Sequence, residues 1–230
     1  MTRIPVRDLV ARRLVPRAVV LASRVDRPAR VAAAVRRARG GRGRVELFFA
    51  FDDPCSAVAV LDLEGRVAGR DVDLVLLPVA ERGMAGDPAI EAKRRHAIAD
   101  ARRLGARAGL TLSRDAPVAP ADVAFLAGWA ATLPSGPERT RWCAAALREL
   151  WFASDGAVGR EAYAALWRRE LGTEPPPGDD AAVAGNARRM RRRGPYDTPA
   201  AWVAGQWFFA HDRPAQVAAR LDDLGWTTAS

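Results

Sequence analysis

The chain has 230 residues but only two cysteines, Cys55 and Cys143, and two histidines, His96 and His211. Two thiols cannot build a disulfide framework or a four-thiolate zinc site, and two imidazoles add little, so no structural metal is expected. No run of about 18 uncharged apolar residues exists, which removes a membrane-spanning helix from consideration. The longest apolar stretch near the start, Ala18 to Ser23, is trapped between Arg17 and Arg24 and is too short for a signal-peptide core. These absences predict a cytoplasmic protein with free thiols. Lysine is nearly missing as well: Lys93 stands alone among 36 basic side chains.

The charge is plentiful but uneven. The formal net value of +9 suggests a nucleic-acid or acidic-surface partner at first sight. Residues 1–44, however, hold thirteen arginines against two acids, Asp8 and Asp26, while residues 45–230 hold 23 basic against 25 acidic side chains. The body is therefore close to neutral, and the positive charge belongs to an extension. That extension contains no Phe, Trp or Tyr. Base stacking and aromatic anchoring at a membrane interface are unsupported, and a nucleic-acid partner is not expected. Peripheral contact with an acidic surface stays open, beside the plainer reading that its helices dock on the acidic body or on a partner subunit.

Within residues 4–39, Ile4, Leu9, Val10, Leu14, Val19, Val20, Leu21, Val31 and Val35 recur among arginines at near-helical spacing, with Pro16 and Pro28 as interruptions. Short basic amphipathic helices are predicted. Gly40-Gly41-Arg42-Gly43 then reads as a linker. Val45 to Phe51 is a β-forming run, and Asp53-Pro54 supplies a cap and a first-turn proline for a helix to about Gly69. Asp73 to Val79 has the composition of a buried parallel strand, which completes a right-handed βαβ unit. Helical signals follow over 89–108, 121–131, 137–152, 160–171 and 179–192, separated by Pro and Gly clusters. Residues 200–203 and 206–210 around Ala204-Gly205 read as a β-hairpin, and 212–224 as a closing helix.

A βαβ unit, a helical block, then Thr198-Pro199 leading into a hairpin and a last helix is the order of a thioredoxin fold with a helical insertion. Residues 48–59 (FFAFDDPCSAVA) and 194–213 (GPYDTPAAWVAGQWFFAHDR) resemble two segments of the DsbA-like family, in its branch of 2-hydroxychromene-2-carboxylate isomerases and kappa-class glutathione transferases. Lys93 and the pair Asp100 and Arg103 sit where that branch has a Lys and an Asp-x-x-Arg. The resemblance spans roughly 45–225, about four fifths of the chain. It implies an α/β thioredoxin-fold domain at 45–84 and 194–230 with an all-helical insertion at 85–193, preceded by the basic helical extension at 1–44 that charge and spacing indicate. It also implies that Pro199 is a cis-proline facing the start of the first helix.

At that helix start the chain departs from the branch. Asp53 occupies the position of the first cysteine of dithiol relatives and of the serine of the isomerases, and Ser56 that of the second cysteine. With no dithiol, disulfide-oxidase activity is not expected. The resemblance implies glutathione as a cofactor, yet a carboxylate beside a thiolate disfavours the charged sulfur. Asp197 replaces a family glycine and brings a second carboxylate toward the cleft, where Asp53 and Asp197 could divide acid and base roles.

The candidate catalytic residues are thus Asp53 and Asp197. Pro54, Cys55, Ser56, Lys93, Thr198, Pro199, His211, Asp212 and Arg213 are the candidate residues for binding substrate or glutathione. Asp53 and Asp212 could equally be only helix caps, and Trp129, Trp142, Trp151 and Trp167 only core. The leading expectation is an isomerase or glutathione-transferase-like enzyme acting on a small aromatic or conjugated acid, in a chain that could form a homodimer. The alternatives are a catalytically silent thioredoxin-fold binding module for a protein or peptide, and a single-thiol redox enzyme using Cys55.

Overall fold

The computed structural model describes residues 26–80, 87–154, 159–195 and 197–228. The helices expected in residues 4–25 lie outside the described residues, but the last of the extension is present as helix α1 (Arg27–Ala38). Pro28 begins this helix instead of interrupting it, because a first-turn proline gives up an N–H that has no intrahelical partner anyway. Strand β1 (Gly43–Phe49), helix α2 (Pro54–Val67) and strand β2 (Val72–Pro78) form the βαβ unit, within two residues of the predicted bounds. Five helices follow: α3 (Ile90–Arg107), α4 (Pro120–Thr132), α5 (Pro137–Trp151), α6 (Arg160–Leu171) and α7 (Asp180–Arg192). Strands β3 (Ala200–Val203) and β4 (Gln206–Phe209) make the hairpin, and α8 (Pro214–Asp223) closes the chain.

The sheet runs β2-β1-β3-β4, with β1 parallel to β2 and antiparallel to β3. Helices lie on both faces of β1. Val45, Leu47 and Phe49 join α2 in the large core, whereas Phe48 and Ala50 pack with Val75, Leu77 and the α7 residues Ala187 and Met190. This is why the strand reads as a nearly continuous apolar run instead of an alternating one. Glu46, buried in the same strand, is the exception discussed below.

The insertion shares its core with the sheet. Trp129, Trp142 and Trp167 stack edge-on or tilted, at 4.8 Å between the centroids of Trp142 and Trp167 and 6.0 Å between Trp129 and Trp142. Such geometries suit the ring quadrupoles, and all four insertion tryptophans are core, as their helical positions suggested. Trp151 carries the packing to the site: its indole N–H donates to the Phe51 carbonyl at 2.9 Å, which fixes the turn that follows β1.

Three carbonyls on the outer edge of β2 are covered by side chains. Arg42 Nη2 donates to the Val72 carbonyl at 3.1 Å, Arg139 Nη1 to that of Leu76 at 3.2 Å and Asn186 Nδ2 to that of Pro78 at 2.9 Å. At the end of the sheet where β1 begins, α1 docks on α8. Asp26 pairs with Arg220, Arg37 donates to the Leu224 carbonyl, and the Arg37 guanidinium lies 5.3 Å from the centre of the Trp226 ring. The hydrogen bond from Arg220 holds the Asp26 carboxyl below the usual carboxylate value of 3.8. The described part of the extension is therefore held to the body by its charges.

Candidate functional site

Where β1 ends, the chain turns at Asp52-Asp53 and enters α2. Asp53 adopts an extended backbone and caps the helix: its carboxylate accepts from Cys55 N at 3.2 Å, from Ser56 N at 3.1 Å and from Ser56 Oγ at 2.6 Å. Ser56 Oγ in turn accepts from Ala50 N at 3.2 Å, so cap, serine and strand end form one network. Asp53 is 0% exposed. Its capping role is thus shown, and it consumes the backbone N–H groups that give a helix start its affinity for anions. Cys55 is 7% exposed, and its thiol lies 3.6 Å from the Ala97 carbonyl.

The second wall comes from the loop before β3. The Thr198–Pro199 peptide is cis. Asp197 Oδ1 accepts from Thr198 N at 2.8 Å, and the Pro199 carbonyl accepts from Ala210 N at 3.0 Å, which ties the loop to the end of β4. Thr198 is 6% exposed, yet its hydroxyl has no hydrogen-bond partner among the described residues, and neither has the buried Nδ1 of His211. Buried polar atoms are rarely left so, because each such group costs about 1–3 kcal/mol.

Helix α3 is the third wall. Lys93 pairs with Asp87, whose carboxyl is held below its usual value by that hydrogen bond and by a second from Ala89 N. His96 Nε2 lies 3.4 Å from Asp100 Oδ2, and Arg103 Nη2 lies 2.5 Å from Asp100 Oδ1. Together the three walls border an open cleft of about 510 Å³ lined by Asp53, Cys55, Lys93, Asp197, Thr198 and His211, with His96 and Asp100 beside them.

No protein-family model matches the chain, and no curated protein sequence does. Among solved structures, 2-hydroxychromene-2-carboxylate isomerase matches at 15% identity with a TM-score of 0.64, over 79% of this chain and 96% of that one. The fold is a thioredoxin fold. In this thioredoxin fold the cleft lies where the first helix of the βαβ unit meets the cis-proline loop, and α3 of the insertion roofs it.

Six of the eleven residues singled out from the sequence line this cleft, and five do not. Pro54 and Ser56 are buried in the first turn of α2, where Ser56 supports Asp53. Pro199 is also buried, in the loop behind Thr198. Asp212 and Arg213 are exposed outside it. Asp212 is not the cap of the last helix either: α8 begins at Pro214, after Arg213, and no side chain caps it.

Sequence reasoning passed over His96 as a wall residue. The signal was present, since Lys93, His96, Ala97 and Asp100 recur at three- and four-residue steps and must share one face of a helix. A larger groove of about 1150 Å³ runs along the β2 edge. Its charges are already matched, as in Arg42 with Asp73 at 2.6 Å and Arg148 with Glu64 at 3.1 Å. Among the described residues it has none of the buried, unpartnered polar atoms that mark the cleft.

Proposed function

We propose that the chain is an isomerase for a small conjugated carboxylic acid, working in the cleft between α2, α3 and the Thr198–Pro199 loop without a glutathione thiolate. The observation that carries this reading is that Thr198 Oγ1 and His211 Nδ1 are both buried and without partners among the described residues, in a cleft that also holds carboxylates and cations. Such groups await a ligand oxygen. The α2 start does not suit glutathione: its N–H groups at Cys55 and Ser56 already bond the Asp53 carboxylate, and a thiolate placed there would meet that negative charge. Asp53 acts as a positioning residue for the helix start. Asp197, half-buried at the mouth, is the acid–base group.

The substrate of the structural neighbour, 2-hydroxychromene-2-carboxylate, illustrates the chemistry. Asp197 accepts the proton of the ring hydroxyl as the C–O bond of the ring breaks and a carbonyl forms. The electron pair of the broken bond stays on the aromatic oxygen, and the resulting phenoxide delocalises through the conjugated chain to the new carbonyl. That delocalisation lowers the order of the double bond about which isomerisation turns. Hydrogen bonds from Thr198 and His211 hold the carbonyl oxygen where charge accumulates. The proton on Asp197 returns to the phenoxide, so no atom is gained or lost.

The test is turnover of 2-hydroxychromene-2-carboxylate followed by absorbance, with and without glutathione. Turnover without glutathione is expected, and Asp197→Asn should lower it about 10²- to 10⁴-fold, the range of a general acid–base group. Turnover only with glutathione, no turnover in either condition, or an unchanged rate in Asp197→Asn each defeats the proposal.

A further inference from the structure

A second cavity, of about 430 Å³, lies at the other end of β1, between α1, the start of β1, the end of β3 and α8. Its walls are aliphatic and aromatic: Ala29 and Ala33 of α1, Val203, Leu221, Trp202 and Trp226. Its charged members are Arg36, Arg44, Arg193 and Glu46. Glu46 is 4% exposed and is met by Arg44 at 3.0 Å and by both Arg189 and Arg193 of α7. Each guanidinium brings about five N–H donors, whereas one carboxylate offers about four acceptor positions. The cluster is therefore short of acceptors and in excess of positive charge. Arg36 adds a further cation at the rim, with no side-chain partner among the described residues.

We propose that this cavity is a binding site for an amphipathic organic carboxylate, whose apolar body lies against the α1 alanines and the two indoles while its head bridges Arg36 and the free donors of Arg44 and Arg193. Its volume lies within the range of small-molecule sites, about 300–1,000 Å³. The charge also decides against one competing occupant. The stretch preceding α1, residues 1–25, carries six arginines and one acid, the same sign as the rim. An anion is complementary and that stretch is not.

The experiment is calorimetric titration of the full chain with dodecanoate, with dodecanol as the neutral control. Dodecanoate should bind once per chain. Arg36→Glu, a change at an exposed side chain, should weaken it about tenfold or more at a temperature where melting shows the variant folded, as should replacing the carboxylate by the alcohol. Lys93→Glu, in the cleft at the opposite end of β1, should leave binding unchanged. No saturable binding, equal binding by Arg36→Glu, or loss on Lys93→Glu in place of Arg36→Glu overturns the proposal. None of these results bears on turnover at Asp197.

Discussion

Two buried carboxylates, one within β1 and one just beyond its carboxyl end, are satisfied in opposite ways. At the carboxyl end, Asp53 is bound by uncharged donors, the N–H groups of α2 and the Ser56 hydroxyl. In the middle of β1, beside the cavity that opens at the strand's start, Glu46 is bound by full charges, the guanidiniums of Arg44, Arg189 and Arg193. The first arrangement uses up donors and leaves the cleft's chemistry to Asp197, Thr198 and His211. The second leaves donors and positive charge to spare. A buried carboxylate in this thioredoxin fold thus either closes an anion site or sits within one, depending on whether its partners outnumber its lone pairs.

The contrast can be broken most forcefully at Glu46. Glu46→Gln removes the negative charge around which three guanidiniums gather and turns one of its two acceptor oxygens into a donor, and should destabilise the fold by about 2–3 kcal/mol, less than a fully buried pair because the arginines can partly rehydrate. Chemical denaturation would measure it, and a loss below about 0.5 kcal/mol would show that the cluster is only a surface network. At the carboxyl end, Asp53→Ala should cost about 1–2 kcal/mol as a lost helix cap, while Asp53→Asn, a residue that also caps well, should keep most of the stability and of the turnover. Equal damage from both variants would assign the negative charge itself a role that capping does not explain.

A pH titration sharpens the comparison through α1, which walls only the second cavity. Because the Arg220 hydrogen bond depresses the Asp26 carboxyl below 3.8, the stabilisation it gives is complete above that value and is lost as the pH falls through the lower value of the folded state. Protection of the α1 amides, measured against the intrinsic exchange rate at each pH, should therefore fall below about pH 4 while β1 and α2 stay protected. Simultaneous loss in both places would mean that α1 is not an independent attachment. The smallest effect concerns the hairpin. Ala204 has a φ of 44°, a left-handed conformation, so Ala204→Gly should raise stability by about 1 kcal/mol, read as a small increase in melting temperature.

Much of the fold was legible in the sequence because its signals were local and mutually consistent. Asp53-Pro54 announces α2, the Gly-Pro clusters punctuate the insertion, and Ala204-Gly205 marks the hairpin turn. The cleft was legible in part, through the two segments that form its helix start and its proline loop. His96 was missed because the resemblance drew attention to Lys93, Asp100 and Arg103 on this helix, while the helical spacing that puts His96 on the same face was not used. Glu46 was missed because its partners are remote: Arg189 and Arg193 lie more than 140 positions away in the chain. A lone charge inside an apolar strand says that a partner must exist but not which one. Asp212 was offered as a cap because it stands near a helix start, yet the proline that opens α8 is two positions further on and leaves Asp212 outside.

The coverage of the β2 edge has a consequence for assembly. An edge strand normally offers a row of free carbonyls and amides to which the same strand of another molecule can add, and repetition of that step builds fibres. Here arginines and an asparagine occupy the carbonyls of Val72, Leu76 and Pro78, and the proline has no amide hydrogen to give. Concentrated solutions of the folded chain should therefore resist strand addition at the β2 edge, and Arg139→Met, which bares the Leu76 carbonyl, should weaken that resistance.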